Sequence, residues 1–179
     1  MNKHSLLSID VILAMLLAGC NLLSNPQVKI IRPSDVNISE NRDVSGFDSI
    51  EFSTLGKINL IQGDQESLNI SGPDNVVPLI ITEVRNKTLI IRNDENVNIT
   101  VPSSQNPLTF TIVAKDLTGL TVSGVGDVQL DAVSTPRLEV TMSGAGMVQM
   151  NQLGADELDL NLSGAGGMEI TGEAQQTTI

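Results

Sequence analysis

The amino-acid sequence predicts an all-β protein: a right-handed parallel β-helix (β-solenoid) of 20-residue coils, preceded by an irregular β region. Three observations predict it. The tetrapeptides Ser123-Gly124-Val125-Gly126, Ser143-Gly144-Ala145-Gly146 and Ser163-Gly164-Ala165-Gly166 recur every 20 residues. Apolar residues recur in the same register, with Leu120, Val140 and Leu160 in one column and Val122, Met142 and Leu162 in another. Between the glycine motifs apolar and polar residues alternate, as in Leu158-Asp159-Leu160-Asn161-Leu162, which is the period of a strand with one buried face.

Each part of the coil follows from these residues. The Ser-Gly-Ala-Gly segments suit corners, because glycine tolerates positive φ and small side chains let successive coils approach. The alternating stretches supply two strands per coil, so the unit reads strand, corner, strand, corner. One such unit buries too little apolar surface to offset the entropy of ordering it, and only stacking on its neighbours closes its faces. Parallel crossovers are nearly always right-handed, which sets the expected hand. Two further columns, Leu108, Val128, Val148, Met168 and Phe110, Leu130, Met150, Ile170, place the stretch from about Ser103 in the same series. Inward positions such as Leu130, Val140, Met150 and Leu160 are expected to be buried, and outward ones such as Gln129, Glu139, Gln149 and Asp159 exposed.

Upstream, residues 47–101 lack the 20-residue period but read as strands: Ser49 to Phe52, Lys57 to Ile61, Ser67 to Ser71, Leu79 to Val84, Thr88 to Arg92 and Val97 to Val101. Gly, Asn and Asp turns separate them. This irregular part is expected to cap the N-terminal end of the stack.

The first 19 residues carry Lys3 and His4, then a short apolar run from Leu6 to Leu17, then Ala18 and Gly19 before Cys20. That is the layout of a signal peptide, and the run is shorter than the ~20 apolar residues of a bilayer span. Leu17-Ala18-Gly19-Cys20 resembles the lipobox of bacterial lipoproteins, which implies lipidation of Cys20 and cleavage before it. Acyl chains contribute about 0.8 kcal/mol per buried CH₂, so two or more chains anchor firmly. The expected organisation is a signal peptide over 1–19, a lipidated N-terminus and tether over 20–45, and the β domain over 46–179. The expected location is the cell envelope, lipid-anchored outside the cytoplasm; Asn21 after the cysteine resembles outer-membrane sorting where the source has two membranes.

Composition narrows the chemistry. A net charge of −11 with no Trp, no Tyr and three Phe disfavours nucleic acid, which needs cations and stacking faces. The one histidine, His4, and the one cysteine, Cys20, both lie in the N-terminal segment. The domain therefore lacks the residues of a His/Cys metal site or a Ser-His or Cys-His nucleophile, and no cofactor is expected.

The order Gly46-Phe47-Asp48-Ser49-Ile50, Ile61-Gln62-Gly63, Leu89-Ile90-Ile91 and then the serial Ser-Gly-Ala-Gly coils resembles the auto-transporter adhesin, head GIN domain family. The resemblance covers residues 45–179. It implies a β-helix-like surface domain, often carried on lipoproteins, and brings no catalytic residues with it.

Among possible sites, outward Glu139 and Asp159 stand one coil apart, about 4.8 Å along the stack, close to the carboxyl spacing of retaining glycosidases; like charges side by side on an acidic face account for them more simply. Asp127 has the look of a calcium-roll residue, but the same position is Met147 and Gly167 in the next coils. The methionines Met142, Met147, Met150 and Met168 are best read as core and corner filling. The polar columns Gln129, Gln149, Glu169 and Asp131, Asn151, Thr171 form a face open to a glycan or an envelope protein. The leading reading is therefore a noncatalytic, adhesin-like or structural envelope module, with a polysaccharide-processing enzyme or an envelope sensor as alternatives.

The final stretch, from Glu173, slips by about one residue against the earlier columns, which leads to the expectation of a longer parent domain or of self-association through an open last coil. Replacing Cys20 with Ala is expected to abolish incorporation of labelled fatty acid and to move the protein from the membrane to the soluble fraction; unchanged labelling and fractionation would refute the lipobox reading.

Overall fold

The computed structural model describes residues 29–100 and 108–179. Among them the strands are β1 (Lys29–Ile31), β2 (Asn37–Arg42), β3 (Ser49–Ser53), β4 (Lys57–Gln62), β5 (Ser67–Pro73), β6 (Ile80–Arg85), β7 (Thr88–Asn93), β8 (Val97–Ile99), β9 (Thr109–Ala114), β10 (Gly119–Val122), β11 (Val128–Met142), β12 (Ala145–Leu162) and β13 (Ala165–Thr178), with one 3-10 turn at Val77–Leu79. Eleven strands share a sheet ordered β2-β5-β9-β4-β11-β10-β3-β7-β6, with β12 on β11 and β13 on β12, while β1 and β8 pair separately. The segment expected to be a signal peptide, and Cys20, lie outside the described residues.

The repeats stack as their period demands. From Val128 opposite Val148 to Met142 opposite Leu162, β11 and β12 run parallel with partners 20 residues apart. On β13 the same offset holds from Ala145 opposite Ala165 to Met150 opposite Ile170; a bulge then puts Leu153 opposite Gly172 and Leu158 opposite Thr177. The one-residue slip read in the sequence is thus a bulge, and at Gly172 (φ +154°) a Cβ would lie 2.1 Å from the Leu153 carbonyl oxygen.

The corners explain the glycines. A Cβ on Gly124 would sit 1.8 Å from the Thr54 carbonyl oxygen, on Gly144 1.9 Å from that of Gly124, and on Gly164 2.0 Å from that of Gly144. The second glycine of each motif repeats the arrangement, Gly126 over Gly56, Gly146 over Gly126 and Gly166 over Gly146. Backbone hydrogen bonds run unbroken through these corners, including Val125 N to Thr54 O, Ala145 N to Gly124 O and Ala165 N to Gly144 O. Ser53-Thr54-Leu55-Gly56 is therefore the first corner of the series. Thr54 is tolerated because its side chain meets no further corner; its hydroxyl hydrogen-bonds the Asn93 side chain instead.

This corner corrects the expected stacking order. β3 and β4 sit directly on the first repeat, with Ile50 opposite Leu120 and Ile58 opposite Val128. β9 lies on the far side of β4, with Phe110 opposite Ile58. Phe110 thus belongs to the Val128 column rather than the Leu130 column, and the two are separated by β4. Ile58 and Leu60 present the same apolar pair as Val128 and Leu130, so periodicity alone does not reveal the intervening strand. Phe52 and Phe110 meet edge to face, 5.1 Å between centroids, and are fully buried under the cap.

A purely parallel sheet is also corrected: the sheet is mixed. β2 with β5, β5 with β9 and β6 with β7 are antiparallel. The β6–β7 hairpin turns at Asn86 and Lys87, both at positive φ, the backbone pattern of a type I′ turn. Each full coil moreover has three inward sides rather than two. Alternation along β11 resets at Asp131-Ala132 and at Pro136-Arg137, where two consecutive residues face out, and β12 repeats this at Asn151-Gln152. Leu130, Val140 and Met150 are buried as expected. Leu160 and Asp159 are half-buried, Leu160 because β13 extends only as far as a partner for Asp159 and leaves it uncovered.

Part of the segment expected to be a tether is ordered as β1 and β2. β2 escapes a periodicity search because its inward positions opposite Ile70 and Leu68 are Glu40 and Arg42, which pair with each other at 3.4 Å. Inward charges on an edge strand discourage edge-to-edge pairing.

Replacing Gly144 with Ala is expected to destabilise the domain by about 3 kcal/mol. Gly154→Ala, where nothing lies within 4 Å of the added Cβ, should change stability by less than about 0.5 kcal/mol. Urea unfolding of the two variants checks this contrast, and equal stability would contradict the glycine-over-carbonyl stacking.

Candidate binding face

The sequence-predicted contact residues come together on one outward face. Gln129, Glu169, Asp131 and Asn151 are exposed and Gln149 is half-buried. Gln129 stands opposite Gln149 and Gln149 opposite Glu169, with Gln149 Nε2 donating to Glu169 Oε2 at 3.4 Å. Asn151 Nδ2 donates to Asp131 Oδ1 at 3.2 Å. Thr171 falls within the bulge and has no ladder partner.

The face extends well beyond the repeats. Gln129 is opposite Asn59, Asn59 opposite Thr111, Thr111 opposite Asn69 and Asn69 opposite Asn41. One row of polar side chains therefore crosses seven strands: Asn41, Asn69, Thr111, Asn59, Gln129, Gln149 and Glu169. Six intervals of about 4.8 Å make it roughly 29 Å long. Asn69 Nδ2 donates to Asn41 Oδ1 at 2.7 Å, and Ser39 and Ser71 join the same outward network. Sequence reasoning missed Asn41, Asn59, Asn69 and Thr111. For Asn59, Asn69 and Thr111 the alternation within each strand is visible in the sequence, whereas β2, which carries Asn41, shows no apolar period; the alignment of all four with the repeats depends on non-local pairing.

The carboxylate pair lies elsewhere. Glu139 and Asp159 are ladder neighbours, as expected, and an arginine stands beside Asp159. Arg137 Nη2 donates to Asp159 Oδ2 at 2.6 Å and Nη1 to Glu157 Oε2 at 2.9 Å. Arg137 lies two residues before Glu139 on β11, on the same outward face. Asp127 is likewise occupied, accepting from the Met147 backbone N–H at 3.0 Å, a structural role at the corner in place of a metal ligand. A shallow concave surface lies on another side of the stacked repeats, lined by residues including Ser134, Pro136, Gly154, Asp156 and Glu173. Neither Glu139 nor Asp159 lines it.

Residues 46–179 match the family model described as "Putative auto-transporter adhesin, head GIN domain". The chain belongs to this family. Its head GIN domain is similar in structure to a putative adhesin from Bacteroides fragilis, at 30% identity and a TM-score of 0.76, over 82% of this chain and 67% of that one. It is also similar to a putative lipid binding protein from Parabacteroides distasonis, at 21% identity and a TM-score of 0.65, over 81% of this chain and 63% of that one. A putative adhesin from Parabacteroides merdae aligns at 14% identity and a TM-score of 0.63, over 83% and 70% of the two chains. The last two likenesses concern the fold alone. No functionally curated protein matches the chain.

No helix among the described residues of the head GIN domain chain is long and apolar enough to cross a membrane. The Arg137 fork is half-exposed, so its contribution is modest and screened by salt. Arg137→Gln is expected to cost about 0.5–1 kcal/mol at low ionic strength and less in concentrated salt, because it leaves Glu157 and Asp159 without their cation. Thermal unfolding at two salt concentrations measures the difference; a loss independent of salt would contradict the electrostatic account.

Proposed function

We propose that this head GIN domain is a noncatalytic, adhesin-like module of the bacterial cell envelope, held to the membrane through lipidated Cys20, with its outward polar face as the contact surface. The observation that carries the reading is the single polar row running through β2, β5, β9, β4, β11, β12 and β13 without an apolar interruption. A surface built only for solubility has no need to hold amides in line across strands from both the irregular part and the repeats. Membership in an adhesin-described family and the lipobox-like Leu17-Ala18-Gly19-Cys20 support the same reading. On this view the stacked coils form a right-handed β-solenoid whose length sets the extent of the contact surface.

The arrangement of carboxylates supports a noncatalytic role. A glycosidase places its two carboxyl groups on either side of a bound bond, in a cleft. Glu139 and Asp159 stand on a strand face outside the concave surface, and Asp159 is held by Arg137.

Cells producing the full chain are expected to retain purified envelope fragments. Gln129→Glu with Gln149→Glu, which would continue the negative charge of Glu169 along the row, should lower that retention about tenfold through like-charge repulsion at strand spacing. Glu139→Gln with Asp159→Asn should leave it unchanged. Release of shortened glycan by the wild type and not by the Glu139→Gln, Asp159→Asn variant would replace binding with polysaccharide processing.

A further inference from the structure

We propose that the uncharged stretch of the row, Asn69, Thr111, Asn59, Gln129 and Gln149, binds a neutral, extended polysaccharide laid across the strands; this rests on the contact-face reading above and assigns its ligand class. Each amide offers one acceptor oxygen and two donor hydrogens, and the threonine hydroxyl both donates and accepts. A polymer of hydroxyl groups, each also donor and acceptor, satisfies such a row without bringing in or removing charge.

Geometry supports an extended polymer. The five side chains sit at strand intervals of about 4.8 Å, near the monomer repeat of an extended pyranose chain, so successive sugars meet successive amides in register. The ladder fixes the backbones that carry these side chains before binding, so the ordering cost is confined to side-chain rotamers. Asn69 is tied to Asn41 and Gln149 to Glu169. Among the described residues, Asn59 and Gln129 between them make no side-chain hydrogen bond and retain their full donor and acceptor capacity for a ligand.

Charge selects the polymer class. The stretch itself carries no charge, with Lys57 two residues from Asn59 on the same face as its near cation, in a chain of net charge −11, so an anionic glycan meets no cation within the stretch and faces an overall unfavourable field. With no Trp or Tyr in the chain, the face gains nothing from sugar stacking. Each contact is weak, and affinity comes from many of them along one chain, which favours polymers over monosaccharides.

The test sediments the purified full chain, in detergent micelles, with a panel of insoluble neutral glycans (β-1,4-glucan, β-1,4-mannan and β-1,4-xylan) and with polygalacturonate gel as the carboxylated comparator. At least one neutral glycan is expected to retain the protein and polygalacturonate not to. Asn59→Ala with Gln129→Ala should lower retention by about tenfold or more, the loss of two hydrogen-bonding groups, with thermal unfolding unchanged. No retention on any neutral glycan, equal retention on polygalacturonate, or undiminished retention of the double variant overturns the proposal. Capture of envelope protein in the same format separates this from the broader reading. If the wild type captures envelope protein, the double variant does not, and no glycan is bound, the face remains the contact surface and only its ligand class falls. If the double variant retains every partner, the face falls as well.

Discussion

Everything else in this domain depends on a backbone passing directly over a backbone at the glycine corners. Strand ladders hold neighbouring coils about 4.8 Å apart, and a chain turning a corner at that spacing places its Cα almost against the carbonyl beneath. Gly124, Gly144 and Gly164 accept this because they carry nothing at that point; any Cβ would lie within about 2 Å of an oxygen. With the corners closed, hydrogen bonding continues around each coil and the sides are forced into register. The apolar columns and the polar row are both consequences of that registration, so the polar face inherits its regularity from residues at the corners that are not part of it.

The two ends of the sheet treat this regularity differently. At the N-terminal end, antiparallel strands are laid over the β4 side, and the outermost, β2, turns Glu40 and Arg42 inward beside Val77, whose carbonyl accepts from Arg42. At the other end β13 continues the ladder of β12 but buries much less: Met168 and Ile170 are only half-buried and Leu162 is exposed. The difference is one of composition. β2 is written in polar and charged residues, whereas β13 still carries the apolar column positions of the repeat.

How much of this could be read from the sequence followed from the range of the interactions. The repeat, its 20-residue offset, the glycine corners and the late slip at Gly172 are all local or periodic, and each is in place. The six upstream strands were also legible, to within a few residues at their ends, because alternation and turn residues are local signals. What was not legible required knowing which distant strands pair. Ile58 and Leu60 mimic the repeat columns well enough to conceal that β4 separates β9 from β11. Inward Glu40 and Arg42 removed the apolar period that would have marked β2. Two outward residues in succession at Asp131-Ala132 were the trace of a third side, yet a single break in alternation looks the same as a solvated strand. The same limit held for the polar row: the alignment of Gln129, Gln149 and Glu169 lies in the periodic part and was legible, whereas Asn59, Thr111, Asn69 and Asn41 join them only through the fold.

The seating of β3 and β4 on the first repeat also bears on the order in which the chain organises itself. Ile50 meets Leu120 and Ile58 meets Val128 across 70 residues, whereas each later coil meets its neighbour across 20. Closing the longer loop costs only about 1 kcal/mol more, so the penalty is one of timing rather than stability. Until Leu120 and Val128 are in place, β3 and β4 each keep one unpaired ladder edge, on the side away from β7 and β9, and such an edge can pair with another chain.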